Sequence, residues 1–208
     1  MQKVKGVFNS NPWVVALIVG LAYLISIYAK HELLVTEDML FQEFKGQDFD
    51  RYLEGLRGFR RVKYSLLVLF FSATIVVTSG LFLLGTTLFQ LGFPTRVVFN
   101  VCSFASCSEI VKEFVIFFWF KARGSFVSSE VFNLNPLSVF SLVDNQEIGF
   151  PLSYALQSVD LFHLLKIIVI IASFRLLSGA TIGELIKVVT TCYILPLILF
   201  FGIWYIFM

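Results

Sequence analysis

The chain is short of charge. Of its 208 residues only 14% are Asp, Glu, Lys or Arg, 58% are hydrophobic, and the mean hydropathy is +0.85. A soluble domain carries about 25% charged and about 45–50% apolar residues, so the polar covering of a water-soluble globule is missing. Acid and base nearly cancel, since sixteen Lys and Arg against fourteen Asp and Glu give +2. That balance excludes the basic excess with which proteins neutralise nucleic-acid phosphates. Histidine is scarce too: His31 and His163 lie on different segments, and a zinc site would need carboxylate or thiolate help that the spacing does not supply. No H-E-x-x-H, G-x-S-x-G or P-loop pattern occurs, so the expectation is a protein that is not an enzyme, with no cofactor and no metal. Cys102, Cys107 and Cys192 form no C-x-x-C and stand among apolar neighbours, and they read as small core or lipid-facing residues.

What the chain has is long apolar runs, above the roughly 18 residues that suggest a membrane span. They predict an all-α, polytopic integral membrane protein, one transmembrane domain over 1–208 with five transmembrane helices and short interfacial helices. The spans fall at about 13–29, 64–91, 97–120, 161–177 and 182–208. The first carries no small-x-small cleavage site, Ile27 standing where a small residue is wanted before Ala29, so it reads as a retained anchor. The second, Tyr64 to Leu91, has 28 residues without a charge and is closed by Gly92, Phe93 and Pro94. Ser178 to Thr181 is a tight turn, and Thr181 with Glu184 has the T-x-x-E spacing of a capping box. Gly179 and Gly183 match G-x-x-x-G, which here reads as turn geometry. Pro196 predicts a kink, and Trp204 and Tyr205 suit a headgroup level.

Two interfacial loops join the spans, 30–63 and 124–159. The first holds seven Lys/Arg and seven Asp/Glu. Within it Phe49, Tyr52, Leu53, Leu56 and Phe59 recur at helical spacing, and Arg57, Arg60 and Arg61 gather next to the second span. Two structures fit this pattern: an amphipathic helix at the membrane surface, or a solvated extension of the second helix. Either way Arg57, Arg60 and Arg61 are a candidate partner surface.

The sharper signal is charge at membrane depth, where an ionisable side chain costs about 2.5–3.5 kcal/mol on insertion scales. Glu109, Lys112 and Glu113 share one face of the third span, where lysine can pair with a carboxylate three residues before it. Lys166 on the next span can supply the positive charge that this face lacks, with His163 one turn before it. These five residues are either a proton or ion path, a docking site for a partner's charged helix, or a structural ion-pair network.

The second half of the chain also resembles a known group. Val101-Cys102-Ser103-Phe104-Ala105-Ser106 resembles the V-V-x-Y-A-S stretch that opens a span in bacterial members of the Yip family, named for eukaryotic proteins that interact with Rab-type GTPases. Asn135-Pro136-Leu137-Ser138 followed by Ser158-Val159-Asp160-Leu161-Phe162 is similar to that family's N-x-L-S … S-x-D-L-F passage. The likeness covers about residues 95 to 208, and Cys107-Ser108-Glu109, Lys112 and Glu113 depart from it. It implies a five-span, non-catalytic organiser or adaptor of another envelope membrane complex, such as an accessory subunit of an ABC-type exporter, in a bacterial inner (cytoplasmic) membrane. Its partners would be the lipid bilayer and a transporter subunit, with no nucleic acid. The alternative is a small transporter or proton-coupled channel built on the intramembrane charges. Orientation divides the two lines of reasoning. Residues 30–63 and 121–160 carry nine Lys/Arg against five on the opposite side, which puts the first loop inside, whereas the resemblance implies the reverse.

Overall fold

The structure, a computed structural model, describes residues 6, 8, 10–36, 49–133, 135, 137–142, 156–157 and 159–207. Helix α1 (Pro12–Leu34) starts where its sequence dictates: the Asn11 side chain accepts the backbone N–H of Trp13 at 3.1 Å, and Pro12 takes the first helical position. Helix α2 (Phe49–Leu88) is continuous over 40 residues, about 60 Å at 1.5 Å per residue and about twice the hydrocarbon thickness. Its apolar part is Val62–Leu88, so the charged stretch before it continues the second helix. Arg57, Arg60 and Arg61 belong to this helix, but their side chains lie outside the described residues. The helix closes with the N–H of Leu91 on the carbonyl of Thr86, Gln90 and Gly92 taking left-handed backbone.

The segment expected as the third span, 97–120, is two helices, α3 (Thr95–Ala105) and α4 (Cys107–Arg123). They meet at Ser106, whose hydroxyl donates to the carbonyl of Cys102 at 2.9 Å. A serine that bonds its own preceding turn competes with the helical ladder and bends it, and three small polar residues, Ser103, Ser106 and Ser108, sit around the break. Neither piece has the length of a span. Among the described residues four stretches are long and apolar enough to cross a membrane: Pro12–Leu34, Val62–Leu88, Leu161–Ser178 and Ile182–Leu199.

After the short α5 (Ser128–Asn133), Ser138 pairs with Asp160, and α6 (Leu161–Ser178) begins with the Asp160 carboxylate accepting the N–H of His163 at 2.8 Å. Gly179, with φ +71°, ends α6 in the left-handed conformation that a glycine adopts at least cost. Thr181 and Glu184 then form both bonds of a capping box at the start of α7 (Ile182–Val189). A π-helical turn, Thr190–Ile194, leads into α8 (Leu195–Phe207). Pro196 cannot donate to the carbonyl four residues back, and the wider turn before it absorbs that loss, with Leu195 donating to Thr190. The side chains of Trp204 and Tyr205 lie outside the described residues.

Helix α1 packs on α4, α3 and α2, while α6 packs on α3, α4 and α7. The largest core joins Phe82 of α2, Val98, Val101 and Cys102 of α3, Ile170 and Phe174 of α6, and Leu185 and Val188 of α7. Cys192 is buried as well. Outward-facing positions are apolar: Leu17 is 63% exposed, Ile25 62% and Ile168 60%, while Lys30 and Lys166 are buried at 8% and 2%. Apolar outside and charged inside is the arrangement that needs lipid as solvent, and together with the four apolar helices it supports an integral membrane protein.

Candidate functional site

The buried charges gather at the end of the bundle where α1 finishes and α6 begins. Sequence reasoning places Lys112 beside Glu109; in the fold it reaches across to α6 instead. Its ammonium lies 2.5 Å from Asp160 Oδ2, and the side-chain N–H of Asn135 donates to the same oxygen at 2.8 Å. The other oxygen, Oδ1, accepts the N–H of His163. One carboxylate thus caps α6, pairs with α4 and anchors the loop residue Asn135, which also donates to the carbonyl of Gln157. Burial alone would raise the Asp160 carboxyl, but the hydrogen bond and charge of Lys112, with the bonds from Asn135 and His163, outweigh it and hold the group below the usual carboxylate range.

Glu113 finds its partner on α1. Lys30 Nζ is 2.5 Å from Glu113 Oε2, and both side chains are nearly buried. Next to this pair Lys63 meets His31 at 2.6 Å, and the hydroxyl of Tyr64 donates to Glu32 at 2.7 Å, so α1 and α2 are joined by polar bonds at the same end.

Glu109 and Lys166 are left over. Among the described residues neither makes an ion pair or a hydrogen bond through its side chain, although each lies within the electrostatic field of the other. Lys166 is 2% exposed, and Glu109 occupies the first turn of α4, where the N-terminal end of the helix dipole favours negative charge. Both face a cavity of about 550 Å³, lined also by Tyr23, Lys30, Phe71, Lys112, Glu113, Asn135, His163 and Tyr193. Two further buried polar atoms of this lining, Asn135 Oδ1 and His163 Nε2, have no hydrogen-bond partner among the described residues. The His163 ring stacks on Tyr193, with centroids 5.5 Å apart and planes at 15°, and Tyr23 stacks on Phe71 at 4.0 Å. No group of three His, Cys, Asp or Glu side chains converges among the described residues.

The structure therefore brings together all five residues singled out by sequence, Glu109, Lys112, Glu113, His163 and Lys166, around one cavity. Sequence reasoning missed Lys30, read as the charge that ends the first span, and Asp160 and Asn135, read as parts of a motif and a turn. The signal available for Asp160 was its place before Leu161, an N-cap position at the start of an apolar helix. The π-helical turn borders the same cavity through Tyr193, and the break at Ser106 lies three residues before Glu109 of its lining. Non-helical backbone at membrane depth is tolerated where it is buried in protein or lines a cavity.

Compared with protein families, curated proteins and solved structures, this chain finds no match.

Proposed function

We propose that the protein moves a small polar solute or protons through its membrane, with Glu109 and Lys166 as the groups that take up the cargo. The observation that carries this reading is the cavity itself: a buried lysine, Lys166, and a half-buried carboxylate, Glu109, face it, and among the described residues neither is consumed by an internal partner. A structural network would pair its charges, as Lys30 with Glu113 and Lys112 with Asp160 do. In this reading α3 and α4 together make one interrupted crossing, the third of five, and the break sets Glu109 beside the cavity in the way that discontinuous helices build midplane sites in transporters. The test is proton or solute flux in liposomes holding the purified chain, under an imposed membrane potential. Flux abolished by Glu109→Gln is the expected result; no flux under either polarity would remove the reading.

A second reading rests on α2. The 13 residues from Phe49 to Arg61, which precede the apolar part of that 40-residue helix and include Arg57, Arg60 and Arg61, would be the segment that meets another membrane protein. This is the accessory role, beside an exporter in a bacterial inner membrane, that the Yip-like motifs imply. Exchange of the three arginines for glutamine should release a partner that co-purifies in mild detergent. A chain that purifies alone under several conditions speaks against this role.

A further inference from the structure

The lining of the cavity sorts into two poles. Lys112 is neutralised by Asp160, and Glu113 by Lys30, so the charges left facing the space are one carboxylate, Glu109, and one ammonium, Lys166. They make no ion pair with each other, and both line the same cavity. Tyr23 and Tyr193 line the same cavity within the electrostatic field of Glu109, Tyr193 with one ring face against His163. Beside Lys166 on α6 stands His163, whose unpartnered Nε2 donates a hydrogen bond in the neutral Nε2–H tautomer.

A monovalent anion in this space would satisfy Lys166 and leave Glu109 buried without a partner, and a cation would do the reverse. An uncompensated buried charge is strongly unfavourable. Only a ligand that carries both signs satisfies both poles at once. Aromatic rings beside a carboxylate suit an ammonium, because the negative ring face attracts it. We propose that the cavity binds a zwitterion, its ammonium against Glu109 on the side of Tyr23 and its oxyanion against Lys166 and His163, with the stacked Tyr193 ring between the two poles. Asn135 Oδ1, held in its orientation by two donated bonds on the other side of the amide, accepts a further N–H or O–H of the same ligand. A volume of about 550 Å³ falls in the range of small-molecule sites, about 300–1,000 Å³. It accommodates a free amino-acid-like solute or a zwitterionic phospholipid headgroup. This inference rests on the reading of the cavity as a cargo site.

The full chain, purified in an uncharged maltoside detergent, is titrated by calorimetry with γ-aminobutyrate, butylamine and butyrate, which share a carbon skeleton and differ in charge, and with glycerophosphocholine. The expected result is that a zwitterion binds roughly tenfold or more tightly than either singly charged probe, the size of one charged hydrogen bond. Lys166→Met should turn the preference towards butylamine, and Glu109→Gln towards butyrate. A reversed preference arises only in a folded site, so it controls for misfolding. Glycerophosphocholine that binds and displaces γ-aminobutyrate, or binds where γ-aminobutyrate does not, assigns the ligand to a lipid headgroup; γ-aminobutyrate alone assigns it to a free solute. Equal affinities for the three skeleton-matched probes, no binding of either zwitterion, variants that keep the wild-type order, or monodisperse variants that bind nothing would each overturn the proposal. Zwitterion binding without flux removes the transport reading alone, and proton flux without zwitterion binding removes this one alone.

Discussion

At one end of the bundle Phe82, Val98, Phe174 and Val188 close on one another, each 0–1% exposed. At the other, Lys30, Glu109, Glu113 and Lys166 surround an open volume of about 550 Å³. The same helices, α2, α3–α4, α6 and the last segment, contribute to both ends. The difference lies in what fills the space between them. The apolar end is held by van der Waals packing, the main force between helices where lipid removes the hydrophobic drive. The polar end is held by the ion pairs Lys30–Glu113 and Lys112–Asp160 and by the bonds between α1 and α2, and among the described residues Glu109 and Lys166 are left unmatched there. Close apolar packing lies at the first end and unmatched charge at the second, the division expected if the cavity is the cargo site proposed above, since a binding site must keep groups that packing would not select.

The largest effect should come from breaking an ion pair at the polar end. Lys30→Met leaves Glu113 buried and uncompensated, a change that costs about 3–5 kcal/mol. Adding Glu113→Leu should restore most of that, because the pair replaced by apolar groups is close to neutral. Reversible unfolding in mixed micelles of sodium dodecyl sulfate and maltoside reads both. If the double variant is as unstable as the single one, the ion pair is not what holds α1 to α4.

The apolar end can be tested at its closest approach. A Cβ placed on Gly85 of α2 would lie 2.8 Å from Cys192 Sγ and 2.9 Å from Val188 Cγ1, so Gly85→Ala must push the last segment away. Overpacking of this kind costs about 1–3 kcal/mol. Cys192→Ala should recover part of it, since the thiol is the nearest obstacle. Non-additivity of the two changes in the same unfolding assay is the expected signature.

A smaller effect separates the two tasks of Asp160. Asp160→Asn keeps an oxygen to cap α6 but loses the charge that holds Lys112; Asp160→Ala loses both and should be less stable by about 1 kcal/mol more. Because the folded carboxyl sits below its usual range, its contribution is fully present above the ordinary aspartate pKa and is lost as the pH falls through the depressed folded value. The wild type should therefore lose stability in that acid window and Asp160→Asn should not. Identical acid limbs would show that the carboxylate is not the coupled group.

The sequence made the frame legible and hid the pairing. Apolar runs located four of the spans, and Thr181 with Glu184, Gly179 and Gly92–Pro94 marked ends that the structure reproduces, because these are local effects of spacing and backbone conformation. The split at Ser106 was less visible, since hydropathy averages over a window and a polar turn of small residues barely lowers it; the cluster Ser103, Ser106 and Ser108 was the trace it left. Which charge meets which was not legible at all. Lys112 stands three residues after Glu109 and next to Glu113, yet it pairs with Asp160, and Lys30 reaches Glu113, because tertiary packing brings the ends of α1, α4 and α6 together. The five depth-charged residues could be chosen from one sequence by their cost alone, but their division into paired and unpaired members required the fold.

That division yields the smallest expected change in stability and the sharpest contrast between the ends. Lys30 and Lys166 are both buried lysines, at 8% and 2% exposure, and burial alone predicts the same response to substitution by methionine. Lys30 has a carboxylate to abandon, whereas Lys166 has none in contact. Removing an unpaired buried charge relieves its desolvation, so Lys166→Met should leave stability unchanged or raise it, by about 0–2 kcal/mol. The same variant is the one expected to lose the cargo. A side chain whose removal stabilises the protein while abolishing its activity is held there for function. A loss for Lys166→Met comparable to that for Lys30→Met would instead make Lys166 a member of the structural network and erase the distinction between the two ends.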